Sequence, residues 1–248
     1  MNNYSAVVEY DGTYYKGFQA QPGNVRTIQG ELLKALSTVL PGKEVHEFSY
    51  AGRTDAGVHA KHQVINFKTD KELDLYRFKW KLNCVLPDDI VIKEISKVRE
   101  EFDSRRDAVL RQYGYYLVNS HYQSAFLKRY SMLVTGELDL ELMRKAAQKF
   151  VGVKDFASFC NDNFNCAFTV REIYSFNIRK YSGGLVVFKI SANAYLYNMV
   201  RIIVGTVIEI GRGKRSIGSI DEAFKGLKRT YAGKIVPAKG LFLTNVIY

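Results

Sequence analysis

Val170 to Tyr195, VREIYSFNIRKYSGGLVVFKISANAY, decides the class of fold. Two stretches rich in Ile, Val, Phe and Tyr flank Ser182-Gly183-Gly184. β-Branched and aromatic side chains suit a pleated strand, and paired glycines admit the positive φ of a tight reversal, so the stretch predicts a β-hairpin. A hairpin is antiparallel by construction, which argues against a doubly wound parallel sheet. Around it lie helical patterns. Thr27 to Leu40 places Ile28, Leu32, Ala35, Leu36 and Val39 on one face. LDLYRFKWKLNCVL (Leu73 to Leu86) and LDLELMRKAAQKFVG (Leu138 to Gly152) read as two more, the latter with Asp139 as N-cap. SIDEAFKGLKR from Ser219 has Ser219 and Glu222 at capping-box spacing. Strands are expected over Tyr4 to Tyr10, His62 to Phe67, Asp88 to Ile95 and Ala108 to Ser120. The pattern breaks around Phe102 to Asp107, and each half runs strand, helix, strands, helix. The expectation is an α+β protein of two similar lobes, 1–104 and 105–248.

With 248 residues the chain is long enough for two lobes with real cores. Lys and Arg outnumber Asp and Glu by 36 to 25, a net charge of +11, which points to a polyanionic partner. The charge is uneven: +6 of it falls between Arg201 and Tyr248. Arg105, Arg106, Arg111, Lys128 and Arg129 form a second basic region, and 17 tyrosines and 15 phenylalanines offer stacking surfaces for bases. Three cysteines (Cys84, Cys160, Cys166) make no disulfide framework, and a reducing compartment, the cytoplasm, is expected. Neither Cys160 with Cys166 nor His59 with His62 has the neighbours of a metal site, so no metal is expected. The N-terminal MNNYSAVVEYDG carries no secretory pattern, and no run approaches about 18 consecutive apolar residues, so no membrane span is expected.

Two features carry chemistry. SYAGRTDAGVHAKHQVINF (Ser49 to Phe67) sets Arg53 and Asp55 among Ala51, Gly52, Ala56 and Gly57, just before a strand. Small residues there let a ligand approach the backbone, although the same pattern also makes an ordinary connecting turn with a surface ion pair. The second feature is YLYNMVRIIVGTVIEIG (Tyr195 to Gly211), apolar on nearly every face and therefore buried, with Arg201 its only charge between Tyr195 and Ile208. A buried guanidinium stays charged and needs an anion. Asp55 is a candidate partner, and a structural salt bridge to another acid is the alternative. Tyr113, in LRQYGYY, is either an ordinary strand aromatic or a platform for a base.

GRTDAGVHA (Gly52 to Ala60), together with YDGTYYKGFQAQP, RTIQGELLKAL, LPDDI, DFASF, LYNMVRIIVGT and AGKIVPAKGLFL in that order, resembles the tRNA pseudouridine synthase A family over nearly the whole chain. The resemblance implies two α/β lobes sharing a largely antiparallel central sheet, with the active-site cleft between them. It implies isomerisation of uridine to pseudouridine in the anticodon stem-loop of tRNA, at positions 38 to 40, by a homodimer using no cofactor or metal. By the same resemblance Asp55 is the nucleophile and Arg201 pairs with it. Arg53 helps flip the target nucleotide, Tyr113 stacks on the flipped base, and Leu241 (or Leu243) lines the uracil pocket. The sequence departs from the family at Asp103, Arg106, Ser131 and Lys154. A non-catalytic RNA-binding module would need the basic surface but not Asp55 with its arginines. A phosphoryl-accepting Asp55 would need a phosphate loop or clustered acids, which the sequence lacks.

Overall fold

The computed structural model describes residues 1–23, 25–40, 45–161 and 168–248; Cys166 lies outside them. From the N-terminus run β1 (Asn2–Tyr10), α1 (Ile28–Val39), β2 (Phe48–Tyr50), β3 (His59–Thr69), α2 (Leu75–Val85) and β4 (Ile90–Val98). There follow β5 (Leu110–Asn119), β6 (Met132–Val134), α3 (Leu140–Gln148), β7 (Gly152–Asp155), β8 (Val170–Lys180), β9 (Leu185–Ala192), α4 (Met199–Gly211), α5 (Ser219–Gly226) and β10 (Leu241–Ile247). The architecture is α+β with mostly antiparallel strand pairing, as the hairpin reading requires. Two compact units form: 1–109 together with 242–248, and 110–241. The last seven residues therefore pack with the first unit, a long-range return that no local pattern in the sequence announces.

In the first unit β1 is central, antiparallel to β3 on one side and β4 on the other. Its alternation buries Tyr4, Ala6, Val8 and Tyr10 on one face. β2 pairs antiparallel with β3, and β10 joins β3 in parallel through Phe242 opposite His59 and Leu243 opposite Ala60. α1 begins where Thr27 Oγ1 accepts the Gly30 N–H, and it buries Ile28, Leu32, Ala35 and Leu36. The expected apolar face is therefore the one that packs.

In the second unit β8 and β9 form the predicted hairpin, turning through Ser182–Gly184 with Gly183 and Gly184 both at positive φ. A side chain at Gly184 would overlap the Asn119 carbonyl, so close approach as well as backbone angle selects glycine there. Phe176 lies opposite Ile190 and Ile178 opposite Phe188, all buried. α3 lies over β8: Gln148 Nε2 donates to the Phe176 carbonyl and Arg144 Nε to that of Ile178. Phe150, just past α3, packs against the rings of Phe159, Phe176 and Phe224. β5 pairs antiparallel with β9, placing Tyr113 opposite Ile190. α4 buries eleven of its thirteen residues, as its apolar circumference requires.

The two expected N-caps have different fates. Asp139 Oδ1 accepts the Leu142 N–H and starts α3 as predicted. The capping box at Ser219 does not form: the N-cap of α5 is Gly218, one residue earlier, and the Ser219 hydroxyl donates to the Ser216 carbonyl. A Ser inside the first turn can bond back to a preceding carbonyl, and the tight Ser216–Ser219 turn supplies one. Asp139→Ala is therefore expected to cost about 1 kcal/mol in denaturant unfolding. Glu222→Ala, at an exposed position outside any capping box, is expected to stay within about 0.5 kcal/mol. A Glu222→Ala loss as large as that of Asp139→Ala would mean the capping box exists in solution.

Candidate active site

The turn that carries Asp55 connects β2 to β3 and is braced along its whole length. Ala51 N–H still donates to Val64, continuing the β2–β3 ladder by one bond. At Gly52 the ladder is taken over by a side chain: the fully buried Gln63 amide donates to the Gly52 carbonyl at 2.6 Å and accepts its N–H at 3.3 Å. Thr54 is buried, its hydroxyl 2.7 Å from the hydroxyl of Tyr10, while its carbonyl accepts the Phe18 N–H. The Asp55 carbonyl then accepts the Val58 N–H, closing a four-residue turn with Gly57 at φ +75°. Arg53 is exposed and Asp55 half-buried, so Thr54 anchors the turn between two outward-facing charges.

The loop after β1 forms the other wall. Gly57 N–H donates to Tyr15, and Gly12 N–H donates to Nδ1 of the buried His59. A side chain at Gly12 would overlap the Val58 carbonyl, and one at Gly17 (φ +99°) would sit 3.1 Å from the Thr54 carbonyl. Glycine at both positions lets backbone lie on backbone. Burial pushes the Tyr10 phenol well above its ordinary range, so its hydroxyl stays protonated as a fixed hydrogen-bonding group beneath the turn. Gln63 and Tyr10 are thus positioning residues that the sequence reading missed. A glutamine in a strand that also carries His62, Asn66 and Lys68 gave no local sign of its role.

The other expected site residues lie in the second unit. Tyr113, on β5, is buried, with its ring edge-on to Tyr195 at 5.1 Å between centroids. Burial, and secondarily Tyr113, push the Tyr195 phenol upward. Arg201 stands in the first turn of α4, partly exposed on a helix otherwise almost wholly buried. Its Nε donates to the Val236 carbonyl at 2.8 Å and its Nη1 to Asn198 Oδ1 at 2.7 Å. Two neutral oxygens thus meet part of the demand that the sequence had assigned to a carboxylate or phosphate. Asn198 holds the helix start in the left-handed region at φ +59°, where asparagine is tolerated. Leu241 is buried at the start of β10, directly after Gly240, whose Cα lies so close to Tyr115 and the Tyr116 carbonyl that a side chain would clash.

Among the described residues no group of three or more His, Cys, Asp or Glu could hold a metal ion, and no helix is long and apolar enough to cross a membrane. The departures noted in the sequence have local partners. Asp103 accepts from the N–H groups of Arg105 and Arg106 and from Ser49 Oγ. Lys154 Nζ lies 5.4 Å from the centre of the Phe224 ring, and the buried Ser131 donates to the Leu127 carbonyl.

The family described as tRNA pseudouridine synthase matches residues 6–105 and 146–248. The tRNA pseudouridine synthase A of Geobacillus sp. (strain WCH70) is 43% identical over 241 residues, 97% of this chain and 96% of that protein. That of Brevibacillus brevis (strain 47 / JCM 6285 / NBRC 100599) is 41% identical over 248 residues, the full length of both. A solved H/ACA RNP bound to a substrate RNA containing 2'-deoxyuridine is 10% identical over 83% of this chain and 44% of its own, with a TM-score of 0.39, too slight a likeness to bear on the fold. The chain belongs to the tRNA pseudouridine synthase family.

Two consequences are measurable. Gly12→Ala forces the Val58 carbonyl aside and is expected to cost about 1–3 kcal/mol in unfolding free energy; an unchanged midpoint would show the loop able to retreat. Asp103 gives a pH signature. Partial burial works to raise its carboxyl pKa, but the N–H groups of Arg106 and Arg105, the Ser49 hydroxyl and the Arg106 charge outweigh it and hold the pKa below the ordinary 3.8. A depressed native value means that ionised Asp103 stabilises the fold above that ordinary value and loses its contribution as the pH falls through the native one. The denaturation midpoints of the parent protein and Asp103→Asn should differ at neutral pH and converge in acid. A constant gap would assign the effect to lost shape rather than lost charge.

Proposed function

We propose that this chain isomerises uridine to pseudouridine in the anticodon stem-loop of tRNA, at positions 38 to 40, with Asp55 as the nucleophile. The observation that carries the proposal is the braced turn of GRTDAGVHA. It holds a half-buried carboxylate on a fixed backbone at the end of a strand, in a chain related over its full length to enzymes named for this reaction. The reaction is an internal rearrangement. The Asp55 carboxylate attacks the ribose or the uracil ring, the bond from C1′ to N1 breaks, and the freed base rotates. C1′ then bonds to C5, the C5 proton leaves, N1 takes up a proton, and Asp55 is released. No electron acceptor and no co-substrate is consumed, so no cofactor or metal is required.

In this reading Arg201 pairs with Asp55 and keeps it ionised, since a nearby guanidinium favours the charged carboxylate. Its placement in the first turn of an apolar helix, with Nε and Nη1 already fixed, supports that role. Arg53, exposed on the same turn as Asp55, helps extrude the nucleotide from its stack. Tyr113 receives the flipped base and takes part in proton transfer, and Leu241 forms the apolar wall. The enzyme works as a cytoplasmic homodimer whose basic surface holds the tRNA backbone.

The deciding experiment incubates the protein with unmodified tRNA transcripts, without added metal or cofactor, and maps pseudouridine by position. Product at positions 38 to 40 is expected; product confined to another arm, or none, would overturn the assignment. Arg201→Leu is expected to lower the single-turnover rate about 10²-fold or more, the scale of removing one preorganised charged group. An unchanged rate would make Arg201 purely structural.

A further inference from the structure

Beyond the site around Asp55, the second unit holds a concave basic site at the far end of α4. A cavity of about 460 Å³ is lined by Lys214, Arg215, Arg229 and Lys234, with Glu209 its only acid. Glu209 is already engaged: Arg215 Nε lies 3.1 Å from Oε2, and the Lys234 N–H donates to Oε1 at 3.1 Å. Arg215 is engaged as well, through Nη1 to the Tyr231 carbonyl. The side chains of Lys214 and Lys234 are exposed and make no salt bridge among the described residues. Some exposed lysines elsewhere are matched with acids, as in Lys93 with Glu9, Lys97 with Glu72 and Lys149 with Asp221, so it is the clustering of Lys214 and Lys234 in one concave lining that sets this site apart.

The backbone that presents these cations is fixed. Lys214 N–H donates to Glu209 after a left-handed turn at Gly213, and Gly233 N–H donates to Thr206 Oγ1 at 2.8 Å. A side chain at Gly205 would overlap the Lys234 carbonyl, so helix and loop lie backbone to backbone. The lining contains no aromatic ring. Such a site attracts an anion and offers nothing for a base to stack on, which is the signature of backbone contact rather than base readout.

We infer that this cavity is a docking site for the phosphodiester backbone of the RNA substrate, held by Lys214 and Lys234. The inference rests on the proposed tRNA reading and adds where the backbone is gripped. Glu209 lies eight residues beyond Arg201 on α4, about 12 Å along the helix axis. A strand that presents its nucleotide at Arg201 and follows α4 toward its C-terminal end comes within reach of the cavity.

The test uses the full chain and an unmodified tRNA transcript. Equilibrium binding is measured between 50 and 300 mM KCl for the parent, for Lys214→Ala/Lys234→Ala, and for Lys34→Ala/Lys81→Ala, an equal charge change at exposed positions on α1 and α2. Each lost phosphate contact should lower the slope of log affinity against log salt by about 0.9, so the cavity variant should show a slope shallower by nearly two. Its affinity at 50 mM should fall tenfold or more, with the single-turnover rate at saturating tRNA unchanged. An unaltered slope and affinity would overturn the inference, and so would an equal loss in the α1/α2 control, which would trace the effect to net charge. Pseudouridine formation is scored separately, so absence of product in the parent would count against the proposed reaction and not against this site.

Discussion

Everything at the candidate site depends on one contact between backbones, the loop after β1 lying against the turn before β3. Gly12 admits the Val58 carbonyl to a distance that a side chain there would deny, and Gly17 meets the Thr54 carbonyl closely at a positive φ that disfavours any other residue. Once that approach is made, the Phe18 and Gly57 N–H groups find partners across it, and the Tyr10 hydroxyl reaches Thr54 from beneath. A buried hydrogen bond contributes little net stability, but leaving its groups unmet is expensive, so the arrangement forms as a set or not at all. The result is a carboxylate displayed on a backbone with little freedom left to lose on binding, the form in which a reacting group is most effective.

The second unit solves a related problem with different means. α4 is so thoroughly buried that its one early charge, Arg201, has to be met where it stands. The chain from Gly233 to Pro237 runs along the helix and supplies part of what is needed: Val236 gives its carbonyl to Arg201, and Gly233 gives its N–H to Thr206. Tyr115, buried on β5, donates its hydroxyl to the Pro237 carbonyl and secures the far end of the same segment. Glycines at 205 and 233 make this closeness possible, so a loop that reads as connecting sequence becomes the support for a guanidinium.

Much of this was legible in the chain. Periodicity marked α1 and, with the Asp139 cap, α3, the Ser-Gly-Gly reversal marked the β8–β9 hairpin, and the apolar circumference of α4 announced its burial. Gly52 to Gly57 read as a turn because glycine and other small residues favour one, and a turn closes there. What could not be read was non-local. The pairing of β10 with β3 depends on a chain return across more than 180 residues, and the amide of Gln63 acquires its purpose only when the strand folds back on Gly52. Arg201 was expected to require an anion because burial disfavours an unmet charge; that the Val236 carbonyl and the Asn198 side chain also hold its guanidinium was not legible. The Ser219 capping box failed for a local reason, a competing carbonyl at Ser216.

The proposed role of the turn is to hold Asp55 for chemistry. Its most direct test is the single-turnover rate of pseudouridine formation in Asp55→Asn at saturating tRNA, measured beside tRNA affinity and thermal unfolding. Asn keeps the size of Asp while removing its charge and replacing one carboxylate oxygen with an amide donor. No detectable product is expected, with affinity and midpoint close to those of the parent. Turnover near the parental rate would contradict it and remove Asp55 from the reaction.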